Sequence, residues 1–157
     1  MSKILQVIGV VILLIPFLIT IIVRFAPINA ENFHIDPLTD GQKGNEGGFY
    51  LAPENGDMVA PIYNMSTTQL AQKIDAMFKV SGIPIAGDIH DNFATYIFRS
   101  QAFGFPDYLS IRLIEIDGTH TTMAIYSRLR FGKKDFGVNR KRVERILELL
   151  NDPTSLK

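Results

Sequence analysis

The chain has no cysteine, no net charge and none of the short signatures that name an enzyme at sight. The absence of cysteine from 157 residues removes disulfides, thiolate nucleophiles and Cys-based zinc sites together. It does not fix a compartment, because a domain of this size is stable outside the cytoplasm without disulfides. There is no Ser-centred nucleophile elbow, no phosphate loop, no zinc-hydrolase helix and no dinucleotide fingerprint. These absences lower the expectation of an enzyme without excluding one, and no cofactor or metal is expected. Sixteen Lys and Arg balance sixteen Asp and Glu. A neutral chain of this kind argues against nucleic acid as the partner.

What the chain does have is one long apolar run. Ile4 to Val23, ILQVIGVVILLIPFLITIIV, carries no charge. As a helix it would measure roughly 30 Å, the thickness of a bilayer core. Gln6, Gly9, Pro16 and Thr20 interrupt it, and membrane helices tolerate all four. The competing reading is a cleaved signal peptide. Against it, the run exceeds the usual apolar region of roughly 7–15 residues. Arg24 also stands where a neutral cleavage region belongs, and a cut after Ala30 would put bulky Ile28 at the −3 position. Residues 1–24 therefore read as an uncleaved transmembrane anchor. The amino terminus and Lys3 precede the span and only Arg24 directly follows it, so the balance leans to an N-terminus inside. That orientation puts the remainder outside the cytoplasm.

Residues 25–48, rich in Pro, Gly, Asn and Asp, read as a tether in which FHIDP folds back through Phe33 and Ile35. Residues 49–157 read as one soluble domain. Phe49–Ala52 and Met58–Tyr63 are short extended pieces around the turn-forming PENGD. Ser66-x-x-Gln69 matches a capping box, and Leu70, Ile74, Met77 and Phe78 share one helix face; Gly82 and Pro84 end the helix. Ala94, Tyr96 and Phe98 alternate with Thr95, Ile97 and Arg99, and Tyr108–Ile116 alternates likewise before the hairpin turn Asp117-Gly118. A last helix runs from Val138 to Leu150 on Val143, Ile146, Leu147 and Leu150, and Asn151, Asp152 and Pro153 end it. The expected class is α+β: an N-terminal transmembrane helix, then a small antiparallel sheet with two helices packed on one face.

Charge is unevenly spread. From Arg128 to Arg145 eight Lys or Arg stand against Asp135 and Glu144, a net of +6, which leaves −6 for the rest of the chain. Such asymmetry speaks about partners rather than fold. With Asn139 or Asp135 as the cap, Arg140, Lys141 and Arg142 crowd the first turn of the last helix, against its macrodipole. Free N–H groups at a helix start attract anions. Lys133, Lys134, Arg140, Lys141, Arg142 and Arg145 thus form a candidate surface for a phosphate, a lipid headgroup or an acidic protein. The plain alternative is a solvated helix face neutralised by Asp135, Glu144 and the acidic remainder.

Other clusters say less. Asp88, His90 and Asp91 in GDIHD read as polar turn residues, since adjacent side chains diverge and no fourth ligand is identifiable. His34, Asp36 and His120 fit loop or strand-edge positions. FRSQAFGFPDY reads as core with a Gly-Pro turn; the alternatives are the wall of a small apolar pocket or the presentation of Phe103 and Phe105 to a partner.

The run from Ser127 to Val143, SRLRFG followed by DFGVNRKRV, resembles the signature of domain-of-unknown-function family 1499, close to R-S-x-S-R-x-G-x-x-D-x-G-x-N-R-x-R-V. FHIDP, YLAPENGD, the Ser66 helix and GFPDY resemble an alphaproteobacterial, membrane-anchored branch. The matching positions are Ser127, Arg130, Gly132, Asp135, Gly137, Asn139, Arg140 and Arg142. Tyr126 stands where the family often has Arg, Leu129 where it often has Ser, and its usual cysteine is missing. Chemistry that needs those groups is not expected here. The resemblance transfers no established activity; its lipoprotein and thylakoid-lumen members imply an extracytoplasmic domain.

Physically the motif also has a structural reading. Gly132 and Gly137 permit a sharp turn, Asp135 pairs Arg130 or caps the helix, and Asn139 bonds local backbone. The expectation is a single-pass protein of the bacterial inner membrane, anchored through Ile4 to Val23, with a periplasmic domain. That domain would act as an accessory or scaffold module, docking a membrane protein or anionic headgroups. The alternative is a small-ligand or anionic-lipid binder, or an enzyme, with Arg130, Asp135, Asn139 and Arg142 lining one pocket.

Overall fold

The apolar run forms helix α1 (Lys3–Phe25), of 23 residues and no buried side chain. At 1.5 Å per residue it is roughly 34 Å long, long and apolar enough to span a membrane. Thr20 donates its hydroxyl to the Pro16 carbonyl at 2.8 Å inside the helix. The computed structural model describes residues 3–100 and 104–152. The expectations placed on Phe103 and Pro153 lie outside the described residues.

Six strands follow: β1 (Gly48–Ala52), β2 (Met58–Val59), β3 (Ile83–Asp88), β4 (Phe93–Arg99), β5 (Pro106–Asp117) and β6 (His120–Leu129). They form one sheet in the order β2-β1-β6-β5-β4-β3. The α+β class stands, but the sheet is mixed rather than wholly antiparallel, because β1 and β2 pair in parallel. The β4–β5–β6 meander is in place, with Asp117 opposite His120 at the hairpin turn. Strand β3 was not expected, since Gly82 and Pro84 read only as the end of the preceding helix. It lies at the sheet edge, and the register slips between Pro84 and Ala86, which is where a residue lacking its N–H is tolerated. The expected extended piece Met58–Tyr63 is shorter than foreseen: β2 holds two residues, and Tyr63 returns as an isolated bridge to Thr121.

A single helical turn, α2 (Pro37–Asp40), precedes the sheet, and Asp36 caps it by accepting from the Leu38 N–H. Helix α3 (Thr67–Ser81) carries the full capping box between Ser66 and Gln69. Helix α4 spans Val138–Asn151. Alternation puts Leu51, Ala94, Tyr96, Leu109, Ile111, Met123 and Ile125 on one sheet face. Leu70, Ile74 and Phe78 of α3 and Val143, Ile146 and Leu150 of α4 close that face into the main core. Each such fully buried side chain stabilises the fold by roughly 1.5–3 kcal/mol.

Residues 26–47 cover the opposite face. Phe33 stacks on Tyr108 with ring centres 3.9 Å apart, and His34 stacks on Phe93 at 4.0 Å. Asp36 pairs with Arg112, and the Asn45 amide donates to the Tyr126 hydroxyl at 2.7 Å. FHIDP therefore folds back through Phe33. The packing of this segment holds the C-terminal end of α1 beside the ends of β4 and β6.

Candidate functional site

The strand-to-helix junction after β6 divides its polar residues into three sets. The first lies inside, between sheet and α4. Ser127 donates its hydroxyl to Asn139 Oδ1 at 2.7 Å, and Arg142 donates to the same Asn139 oxygen and to Ser127 Oγ. The other guanidinium nitrogen of Arg142 pairs with Asp107 at 2.7 Å, with the two side chains only 14% and 5% exposed. Burial pushes the Asp107 carboxyl upward, and the Arg142 hydrogen bond opposes that. Ser127 and Asn139 are fully buried. Arg142 also lies over the Phe98 ring.

Asp135 belongs to this set but does not occupy the cap position expected for it or for Asn139. Gly137 is the N-cap residue, with φ 82° and no side chain to offer. The Asp135 carboxylate reaches forward instead, accepting from the Gly137 N–H at 2.9 Å and the Asn139 N–H at 2.7 Å. Gly132, at φ 101°, and Gly137 both need the left-handed region that glycine enters freely.

A second set lies on the opposite sheet face. Arg130 does not approach Asp135; it donates to the carbonyls of Ala26 and Pro27. Arg128 donates to the Phe33 carbonyl at 2.6 Å, and Arg99 to the Arg24 carbonyl at 3.1 Å. Three arginines thus hold the chain that leaves α1. A helix C-terminus leaves carbonyls unsatisfied, and a cation there also suits the macrodipole. Arg128 is 7% exposed, no described carboxylate pairs with it, and burial lowers its pKa. Neither Arg99 nor Arg128 stood out in the sequence as a site residue. Their one signal was charge on strands otherwise destined for burial.

The four residues Arg130, Asp135, Asn139 and Arg142 therefore do not line a common pocket. Arg130 serves the second face, and the other three satisfy one another inside the fold. The Ser127–Arg142 motif is a bracket that joins β6, α4 and the post-helix segment.

The third set faces solvent: Lys133, Lys134, Arg140, Lys141 and Arg145 are all exposed. Lys134 pairs with Glu46, Arg140 with Glu144 and Arg145 with Glu148, all between exposed side chains. Such pairs contribute about 0–1 kcal/mol each and exchange easily. Lys133 and Lys141 have no ion pair among the described residues. Arg142 is the one cation of the expected surface that the fold draws inward.

The remaining polar candidates have local duties. Asp88 accepts from the His90 N–H in a short 3-10 turn. His34 meets the Thr95 hydroxyl at 3.0 Å, and burial followed by the Arg112 charge lowers its pKa. His120 contacts Asp117 at the hairpin. Among the described residues no group of three or more His, Asp or Glu is placed to hold a metal ion.

Searches against curated proteins and against solved structures gave no match. The model of one family, described as protein of unknown function (DUF1499), matches residues 42–150, a stretch that runs from the end of the covering segment through the bracket to the end of α4. The chain belongs to that family.

Proposed function

We propose that the chain is a single-pass protein whose domain is a non-catalytic accessory or scaffold module of a cell-envelope membrane complex, docking through the exposed cations after β6. In this reading α1 sits in a bacterial inner membrane and the domain is periplasmic. The observation that carries it is the separation just described. The bracket consumes Arg130 and Arg142, yet Lys133, Lys134, Arg140, Lys141 and Arg145 remain at the surface of one loop and helix. Exposed pairs of this kind yield readily to an acidic partner surface or to anionic headgroups.

The test is a mild-detergent pull-down of the full-length protein beside a Lys133→Glu/Lys134→Glu/Lys141→Glu variant, with proteins and lipids identified by mass spectrometry. A stoichiometric partner that is lost in the variant and weakened by salt is expected. Retention of the same partner by both would sink docking through this surface. The orientation is checked separately, by protease digestion of the domain in intact spheroplasts.

A further inference from the structure

We infer that the loop between β6 and α4 is a second membrane contact: Phe136, beside Phe131 and Val138, enters the interface of the bilayer that holds α1, and Lys133, Lys134 and Lys141 bind anionic headgroups there. The inference rests on the docking reading above and names the partner of that surface as a lipid bilayer.

Three observations lead to it. The first is Phe136 itself. The residue is 90% exposed, and its φ of 53° puts a bulky side chain in the left-handed region. That backbone conformation is disfavoured for side chains of this kind, and the exposed ring gains no packing within the fold to offset it. Strain of this sort collects at sites with an outside duty.

The second is composition. Phe131 and Val138 are 41% and 46% exposed. With Phe136 they interleave exposed lysines over eight positions, and Lys141 follows. Aromatic and aliphatic side chains beside lysine suit a bilayer interface, where the ring enters the acyl boundary and the ammonium stays with phosphate.

The third is position, and it selects the bilayer over a soluble acidic partner. Helix α1 ends at Phe25. Arg130, which opens the loop, is bonded to the carbonyls of Ala26 and Pro27, the first two residues after that helix. Arg99, at the end of β4, is bonded to Arg24 within its last turn. The same end of the sheet carries exposed Ile83, paired with Ile97 near the end of β4. The loop therefore starts where the membrane span stops. A surface already tethered at that depth meets headgroups at high effective concentration. The β5–β6 turn lies at the opposite end of the sheet, ten residues along β5 from Pro106 to Ile116, or about 33 Å at the strand rise. The loop would then set the tilt of the domain on the membrane, with α1 supplying the anchorage.

The chain contains no tryptophan, so Phe136→Trp introduces a single indole reporter. The full-length variant is placed in nanodiscs of phosphatidylcholine, with and without phosphatidylglycerol, containing lipids brominated near the headgroup. An Ile116→Trp variant serves as the distal control. The expected result is blue-shifted, quenched emission from Phe136→Trp, stronger with phosphatidylglycerol, and solvent-like, unquenched emission from Ile116→Trp. Unquenched emission from Phe136→Trp in both discs would overturn the inference, and equal quenching at both positions would overturn it too. Should it fall while the lysine variant still loses a protein partner in the pull-down, the docking reading survives alone. Should that partner also be retained, both fall. Phe136→Asn tests the fold directly, because asparagine tolerates the left-handed backbone: a thermal midpoint at or above that of the unaltered chain is expected, whereas a marked loss would show that Phe136 serves the fold.

Discussion

Arg142 and Arg128 are both drawn inside the fold, on opposite faces of the sheet, and differ in what their removal leaves behind. Arg142→Met would strand the Asp107 carboxylate, 5% exposed, without its cation. Breaking a buried pair from one side costs about 3–5 kcal/mol. Arg128→Met removes a buried cation that has no described acidic partner and deprives the Phe33 carbonyl of one donor. That loss is about 1 kcal/mol, partly offset because no charge remains buried. Urea unfolding of the full-length variants in micelles should therefore rank Arg142→Met as the far more damaging change. The reverse order would mean that the Asp107 pair is not the tie that holds α4 to the sheet.

The two long helices of the domain are started by different devices. Ser66 and Gln69 satisfy each other's backbone N–H groups at the head of α3, and Ser66→Ala should cost about 1 kcal/mol. At α4 the Asp135 carboxylate serves two N–H groups while nearly buried. Asp135→Ala should cost about 2 kcal/mol, because two donors lose one charged acceptor. Thermal unfolding of the pair would show the larger loss for Asp135→Ala, and equal losses would count against the forward cap. The β5–β6 hairpin has its own acidic tie. Hydrogen bonds from the Thr119 hydroxyl and N–H, then from His120, hold the Asp117 carboxyl well below the usual range. A lowered folded-state pKa contributes stability that is present above the ordinary value near 3.8 and is lost as pH falls through the lowered one. In an NMR titration the Thr119 amide should accordingly stay unmoved through the range where free aspartate titrates. Movement centred near 3.8 would remove the tie.

For the molecule as a whole, the connection between helix and domain is the property most open to test. Arg99 and Arg130 hold the carbonyls of Arg24, Ala26 and Pro27. In an Arg99→Ala/Arg130→Ala variant, hydrogen exchange over residues 24–36 should accelerate on the order of tenfold, with the global unfolding midpoint little changed. Unchanged exchange there would mean that the remaining ties, Phe33 on Tyr108, His34 on Phe93, Asp36 with Arg112 and Arg128 on the Phe33 carbonyl, fasten the segment without them. The proposed membrane contact depends on this rigidity, since a domain free to swing would not present Phe136 at one depth.

By itself the sequence determined the apolar span, the α3 capping box, the β4–β6 meander and the last helix. Each is encoded within a window of neighbours, by periodicity, by a cap or by the Asp-Gly turn. It also marked the Ser127–Arg142 run as unusual. Only the tertiary structure decided which of those cations are free. Arg142 and Lys141 are adjacent in the chain and equal in charge, yet one is pulled to Asp107 and the other left in water. The difference depends on Asp107, 35 residues from Arg142, which no local pattern connects to the helix. Strand β3 was hidden for a similar reason, since Gly82 and Pro84 read as a helix stop until the place of Pro84 at the sheet edge is known. The post-helix segment read as a tether with one fold-back at FHIDP, because its turn-forming residues satisfy local rules and do not show what Phe33, His34 and Asp36 would meet. Its contacts with Tyr108, Phe93, Arg112 and Arg128 come from strands 59 to 95 residues away, and packing at that separation exists only once the sheet has formed.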